Sequence, residues 1–294
     1  MGDAAATPLP SPFPTWHNDI YPGIDPSRPE LSLEGKTAIV TGGAGAIGSA
    51  MVNAFAKAGV SLVGIVGRTQ KTLDATKAKF ESQYPNTKLV AVTADIASPS
   101  SIEAAFKTIR QQANKPIDIF VHNAGHLAEP ATLTASDAKE WWTSFEVNIL
   151  GAFHSVRAFL PVGSPTATII NVSTAAIHVP TAMVTDLSAY SSSKLASLRL
   201  FEFVQSEHPD LHVVSFQPGV VSSDINIKHG AMAPMDTPDL PASFAVWACS
   251  PEAKFLKNKL IWANWDVDEM KAKADEIANS PAFTIGLAGW PVLS

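Results

Sequence analysis

From Lys36 onward, short runs that are apolar end to end alternate with longer stretches whose apolar residues recur at helical spacing. "TAIVTGG" is β-rich and ends in glycines, and "AIGSAMVNAFAKAG" then carries a helical pattern to a closing glycine. "VSLVGIVGR" and "KLVAVTADI" read as the second and third strands, with the helical "TLDATKAKFESQY" between them. Next come a helix, "SIEAAFKTIRQQA", a strand, "IDIFVHNAG", and one long helix, "DAKEWWTSFEVNILGAFHSVRAFL". The strand "ATIINVST", the helix "SAYSSSKLASLRLFEFVQSE" and the strand "LHVVSFQPG" follow, and a late strand in "NKLIWANWD" can close the sheet. Strands that are apolar along their whole length are buried on both faces, which predicts a parallel sheet covered by helices on each side. Right-handed crossovers make such a sheet doubly wound. The expected fold is therefore α/β, a doubly wound, mostly parallel sheet in a single domain.

Two stretches break the rhythm. Residues 1–30 are proline-rich and lack apolar periodicity. They read as an extended N-terminal arm whose "WHNDIYPGIDP" docks aromatic rings on the body, or equally as a disordered leader. The domain proper is then 31–294. Residues 222–245 form a proline- and methionine-containing insertion after the sixth strand, and long irregular segments inside compact domains are usually functional or mobile. This insertion is the expected substrate lid, with Met232, Met235 and Phe244 in it.

Composition narrows the function classes. The chain has 294 residues and a net charge of -6, with no dense Lys/Arg run, which argues against a nucleic-acid partner. No apolar run approaches the roughly 18 residues of a membrane helix. The single cysteine, Cys249, rules out an internal disulfide framework and fits a reducing compartment. The first residues show neither the basic start nor the apolar segment of a secretory signal, so a cytoplasmic location is expected. No His, Cys, Asp or Glu cluster has metal-ligand spacing, and no metal is expected.

The first chemical signal is the turn after the first strand. "TGGAGAIG", Thr41 to Gly48, lies between a strand and a helix. Glycine permits the tight turn and lets backbone amides approach a pyrophosphate, which the helix N-terminus then faces. Gly42, Gly45, Ala46, Ile47 and Gly48 are the candidate cradle of a dinucleotide in a Rossmann-like fold. In such folds an acid at the end of the second strand holds the ribose 2′-hydroxyl of NAD. Here that strand ends "VGRTQKT", with Gly67 where the acid would sit and Arg68 beside it. A carboxylate repels a 2′-phosphate, whereas a guanidinium chelates one. NADP(H) is the expected cofactor, with NAD(H) as the alternative.

Taken together, these residues resemble the short-chain dehydrogenase/reductase family. The resemblance runs from about Lys36 to Val221 and returns at the last strand. "TGGAGAIG" is similar to the family's TGxxxGxG turn, and "ADI" (Ala94–Ile96) to its Asp-hydrophobe pair beside the adenine. "HNAG" (His122–Gly125) is similar to its NNAG segment, with His for the first Asn. "VNILG" carries Asn148 at the position of its helix-kinking Asn. "YSSSK" matches its YxxxK dyad, Tyr190 and Lys194, and "QPGVV" (Gln217–Val221) its PG segment lining the nicotinamide side. The resemblance thus adds Asp95, Ile96, Asn123, Ala124, Gly125, Pro218, Gly219 and Val221 to the cofactor contacts, together with Tyr190 and Lys194. "YPGIDPSRPELSLEGK" and "LIWANWDVDEM" resemble a fungal-type branch that often reduces carbonyls in secondary metabolism. Two departures stand out: Ala46 occupies the family's second glycine, and the turn lacks the basic residue that many NADP-dependent members carry there. Arg68 is left to hold the 2′-phosphate nearly alone.

The implied mechanism follows. Free Tyr has a pKa near 10 and Lys near 10.4, and an ammonium near a phenol stabilises the phenolate. Positions i and i+4 of a helix share a face, so Tyr190 and Lys194 face one site. Tyr190 is the expected acid/base, Lys194 tunes it and holds the nicotinamide ribose, and Asn148 positions a relay water. The hydroxyl that polarises the carbonyl is Thr174 in the family's register, with Ser173 as the alternative. The loop between them and Tyr190, "AAIHVPTAMVTDL", is longer than the family's usual one and reads as an enlarged substrate-side loop. His178 in it reads as a surface or pocket-wall residue, Trp141 and Trp142 as sheet or subunit packing, and "WANWD" as pocket cover or core. The resulting expectation is an NADP(H)-dependent oxidoreductase reducing a ketone of a hydrophobic small molecule, or oxidising the alcohol. The alternatives are a nucleotide-binding sensor or scaffold without redox activity, and a family member redeployed for a cyclisation or dehydration. A homodimer or homotetramer through residues 137–160 and 188–207 is also implied.

Overall fold

Seven strands form one sheet in the order β3-β2-β1-β4-β5-β6-β7, and every neighbouring pair is parallel. They are β1 (Thr37–Thr41), β2 (Leu62–Gly67), β3 (Lys88–Thr93), β4 (Ile117–His122), β5 (Gly163–Val172), β6 (His212–Gln217) and β7 (Leu260–Trp262). The helices between them are α1 (Ala46–Lys57), α2 (Gln70–Gln83), α3 (Pro99–Ala113), α4 (Ala138–Phe145), α5 (Gly151–Phe159), α6 (Ser188–Glu207), α7 (Asp224–His229) and α8 (Asp239–Ala248). Two short helices, α9 (Val267–Ala272) and α10 (Ala274–Ala278), follow β7. The computed structural model describes residues 9–230 and 232–287; residues 1–8 of the expected arm, Ala231 of the expected lid and the final 288–294 lie outside the described residues.

The doubly wound parallel sheet is as the hydrophobic pattern requires. Side chains alternate across a strand, and the core divides accordingly. Ala38 and Val40 of β1 join the cluster beneath α1 and α8, whereas Ile39 joins the cluster beneath α3 and α5. β4 alternates the same way, with Ile119 and Val121 on one side and Phe120 on the other. All of these positions are essentially solvent-free, so a polar residue at any of them would meet only hydrocarbon.

The expected long helix over 137–160 is interrupted. α4 passes into α5 through a π-helical turn, Glu146–Leu150, centred on Asn148. Asp137 caps the start of α4 by accepting from the amides of Lys139 and Glu140.

The described part of the N-terminal segment is docked. Phe13 is buried with its ring 5.4 Å from that of Trp265, and Trp16 lies 5.6 Å from Trp262. Ile24 and Leu31 are fully buried in the same cluster. Arg28 pairs with Glu252 at 2.7 Å. The "WANWD" rings are therefore core packing against this segment.

The insertion after β6 divides into two parts, which corrects its expected extent. Asp239–Ala245 belongs to α8, where Phe244 is fully buried between Phe216 and Trp247. Its apolar content serves the core, so Phe244 is no lid residue. Only the part before Pro238, including α7, stands beside the site. Among the described residues, no helix is long and apolar enough to cross a membrane, and no group of acidic, His or Cys side chains could hold a metal.

Candidate active site

Except for the Asn148 turn, the motifs line one cavity of about 420 Å³ at the carboxyl ends of the strands. The glycine turn lies at its centre. Gly42 has φ +65°, a backbone state that L side chains rarely adopt. A Cβ on Gly48 would come 2.2 Å from the Gly42 carbonyl oxygen, so this position closes the turn against the helix. Gly45 is the N-cap of α1 with φ −77°, and Ala46 is the first helical residue. No left-handed backbone is needed at Ala46, which is why its methyl is tolerated. No side chain caps α1, and Gly45, Ala46, Ile47 and Gly48 all line the cavity. Uncapped first-turn amides on the positive end of a helix dipole are the donor set a pyrophosphate needs.

On the β2 and β3 side of that turn the cavity is lined by Gly67, Arg68, Asp95 and Ile96. Arg68 is exposed and has no carboxylate partner among the described residues. Its guanidinium is free for an anion. Asp95 is held by its own loop, accepting from the Ala97 amide at 3.0 Å. Ile96 is buried beside Gly151.

Asn123, Ala124 and Gly125 line the cavity beyond β4. Asn123 Nδ2 donates to the carbonyls of Thr41 and Gly42, which braces the glycine turn. Asn148 does not line the cavity. It is buried behind it, with Oδ1 accepting from the His126 amide and Nδ2 donating to the His126 carbonyl and Ser193 Oγ. Both side-chain donors are consumed by protein, so what the side chain does here is to brace α6 against the loop after β4. His122, which stands for the family's first Asn, is buried and neutral; burial drives its pKa down to about 3.

The other end of the cavity holds Ser173, Thr174, Tyr190 and Lys194. Tyr190 is nearly buried, and burial pushes its phenol up to about 12 while the Thr174 hydroxyl, which also accepts from the Ala176 amide, opposes the rise. Burial pulls the Lys194 ammonium down to about 8. Lys194 Nζ donates to the Val172 carbonyl at 2.7 Å. Desolvation runs against the expected tuning of the phenol toward neutrality, since it favours the uncharged form of each group. The two candidate hydroxyls differ. Ser173 Oγ is buried without a hydrogen-bond partner, whereas Thr174 is half-exposed and interacts with the phenol.

The enlarged loop adds apolar lining, Val179, Met183, Val184 and Leu187, while α7 and its flanks bring Ile225 and Met232 together with the polar Ser223, Asp224, Asn226 and His229. His178 is not part of this wall. It accepts from the Trp262 indole at 3.1 Å on the core side. Trp141 stacks on Phe145 and donates to Ser188 Oγ, and Trp142 is 54% exposed.

Several residues were not singled out in the sequence. Leu9 of the N-terminal segment lines the cavity. His229 lines it too, 3.7 Å from Asp186 of the enlarged loop. Asp236, behind Gly219, accepts three hydrogen bonds. None stands in a motif, and their partners are far away in sequence.

Comparison with known proteins agrees with this geometry. A family model described as short chain dehydrogenase matches residues 36–233. The short chain dehydrogenase/reductase AacuD of Aspergillus aculeatus is 33% identical over 282 residues, covering 94% of this chain and 96% of that protein. The short chain dehydrogenase pigC of Monascus ruber is 33% identical over 286 residues, covering 92% of each. Among solved structures, a short chain dehydrogenase from Shigella flexneri 2a complexed with NADP superposes with a TM-score of 0.73 at 18% identity, covering 80% of this chain and 99% of that one.

The buried lysine generates a stability prediction. Its folded pKa of about 8 lies below the ordinary 10.5, so the charged form is penalised fully below about pH 8 and the penalty fades as pH rises toward 10.5. Lys194→Met should raise unfolding free energy at pH 7 by on the order of 2 kcal/mol, after the lost bond to Val172 is set against it. Denaturant titrations at pH 7 and pH 10 check this; a gain that fails to shrink at the higher pH contradicts it.

Proposed function

The chain belongs to the short chain dehydrogenase family, and on that premise we propose that it is an NADP(H)-dependent reductase of a ketone carried by an apolar small molecule. The observation that carries this reading is a protonated phenol, Tyr190, beside the Thr174 hydroxyl, in the same cavity as an uncapped helix N-terminus and the unpaired Arg68. The bound cofactor supplies the hydride. Tyr190 and Thr174 hydrogen-bond the substrate oxygen, and the phenol gives its proton as negative charge develops there. The phenol, raised by burial, is protonated at neutral pH and so can give its proton in the reduction. Lys194 carries positive charge below about pH 8 and offsets the phenolate left behind. Asn148 acts through its bracing of Ser193 and His126, as a positioning residue.

Gly67 and Arg68 support the choice of NADP(H), since no acid at the strand end opposes a 2′-phosphate. The NADP bound in the Shigella flexneri relative is consistent with this choice. Val179, Met183, Val184, Leu187 and Ile225 support a hydrophobic substrate. The Aspergillus and Monascus relatives support the fungal-type branch. A homodimer fits the exposed apolar side chains along α4 to α6: Trp142, Leu150, Phe153, Leu195 and Phe203.

Three measurements test these proposals. Tyr190→Phe should lower kcat for ketone reduction by about 10²–10⁴-fold, the usual share of a general acid, while NADPH still binds. Unchanged turnover sinks the proton-donor role, and a wild-type protein whose NADPH is oxidised by none of a panel of ketones favours a non-redox use of the fold. Arg68→Asp should weaken NADPH by about 10–100-fold and leave NADH nearly unaffected, the scale of a lost charge-assisted pair; an unaltered NADPH/NADH ratio refutes its assignment. Phe203→Glu should shift the protein toward monomer in sedimentation, and a wild type already monomeric rules the dimer out.

A further inference from the structure

Asp236 is a buried carboxylate with no cationic partner among the described residues. Its charge is met by three N–H donors from three separate parts of the chain. Asn18 Nδ2 of the N-terminal segment donates to Oδ1 at 2.6 Å, and Asn264 Nδ2, just after β7, donates to the same oxygen at 2.9 Å. The Val220 amide donates to Oδ2 at 2.6 Å. Hydrogen bonds to an ionised acceptor are about twice as strong as neutral ones.

The Val220 end is where the chemistry lies. Pro218, Gly219, Val220 and Val221 all line the cavity, in the half that holds Thr174 and Tyr190. The sheet order puts β6 and β5 on one side of β1 and the Arg68 strand, β2, on the other. Main-chain bonds reinforce the junction, since the amides of Met235 and Asp236 both donate to the Val220 carbonyl. Gly219 has φ +92°, and a Cβ there would lie 2.6 Å from Asp236 Oδ2. The carboxylate occupies the space a side chain would need, so the segment can run in only one path past it.

The far side of Asp236 is equally tied. The Thr237 amide donates to the Asn18 carbonyl, and Thr237 Oγ1 to Asp19. Asn264 Nδ2 also donates to the His17 carbonyl. The N-terminal segment is thereby bonded to the root of the α7 insertion at the residue that holds the cavity segment.

Resting on the NADP(H) reading above, we propose that Asp236 is a positioning residue that fixes Pro218–Val221 for the nicotinamide half of the cofactor, and that Asn18 and Asn264 hold it in register. Only a carboxylate accepts at both ends. An Asn in its place must point an amide N–H₂ either at the Val220 N–H or at the Asn18 and Asn264 donors, so Asp236→Asn breaks the junction with almost no change in volume. Asn18→Ala removes one donor and leaves the other two.

The test separates the two halves of the cofactor. Binding of NADPH is compared with that of 2′,5′-ADP, which carries the adenosine 2′-phosphate end and no nicotinamide. Asp236→Asn should weaken NADPH by about tenfold or more, as loss of a bond to a charged group implies, and leave 2′,5′-ADP within about twofold. Asn18→Ala should shift NADPH in the same direction by about threefold. Equal weakening of both ligands, or no change in either, overturns the assignment. A wild-type protein that binds neither ligand overturns the cofactor reading itself and this assignment with it.

Discussion

A parallel sheet buried on both faces has only its strand ends to offer to a ligand. The central strands of this sheet lie between two hydrophobic layers, and the polar side chains they do carry, such as Asn171 against Ser215, are bonded within the sheet. At the carboxyl ends the chain must turn out of the sheet, and there backbone amides and polar side chains are free. The order β3-β2-β1-β4-β5-β6-β7 reverses direction between β1 and β4, which opens a crevice at that point. The glycine turn lies on it, with Arg68 at one side and Thr174 at the other. The whole site is a consequence of where the sheet can tolerate polarity.

Within that crevice, burial decides the proton chemistry. Tyr190 and Lys194 are moved in opposite directions by one cause, the loss of water around them. The result is an uncharged acid next to an amine whose charge is held less firmly than in water. The Thr174 hydroxyl beside it opposes the phenol's rise. Ser173 lines the same cavity, buried and without a hydrogen-bond partner.

The fold and the cofactor side were legible in the sequence because their signals are local. End-to-end apolar strands announce a two-sided sheet, and a glycine turn between strand and helix announces an anion cradle. Gly67 and Arg68 sit side by side, so the case for a 2′-phosphate is made from adjacent residues alone. Phe244 was misread for the converse reason: a proline- and methionine-rich stretch looks irregular, and only its complete burial in α8 shows that it serves the core. The pKa balance was misjudged because i,i+4 spacing reports proximity and says nothing of desolvation. Asp236 was out of reach, since its donors stand at Asn18, Val220 and Asn264 and no local pattern joins them.

The same carboxylate ties the N-terminal segment to the rest. Phe13 and Trp16 pack their rings against Trp265 and Trp262, so the segment completes a hydrophobic cluster as well as a hydrogen-bonded one. Those rings set its position, and Asn18 then reaches Asp236 with little further loss of freedom. A group shared between the segment and the cavity wall couples the two. Linkage is reciprocal, so a ligand that orders Pro218–Val221 also favours the docked segment, by the same free energy with which docking favours the ligand.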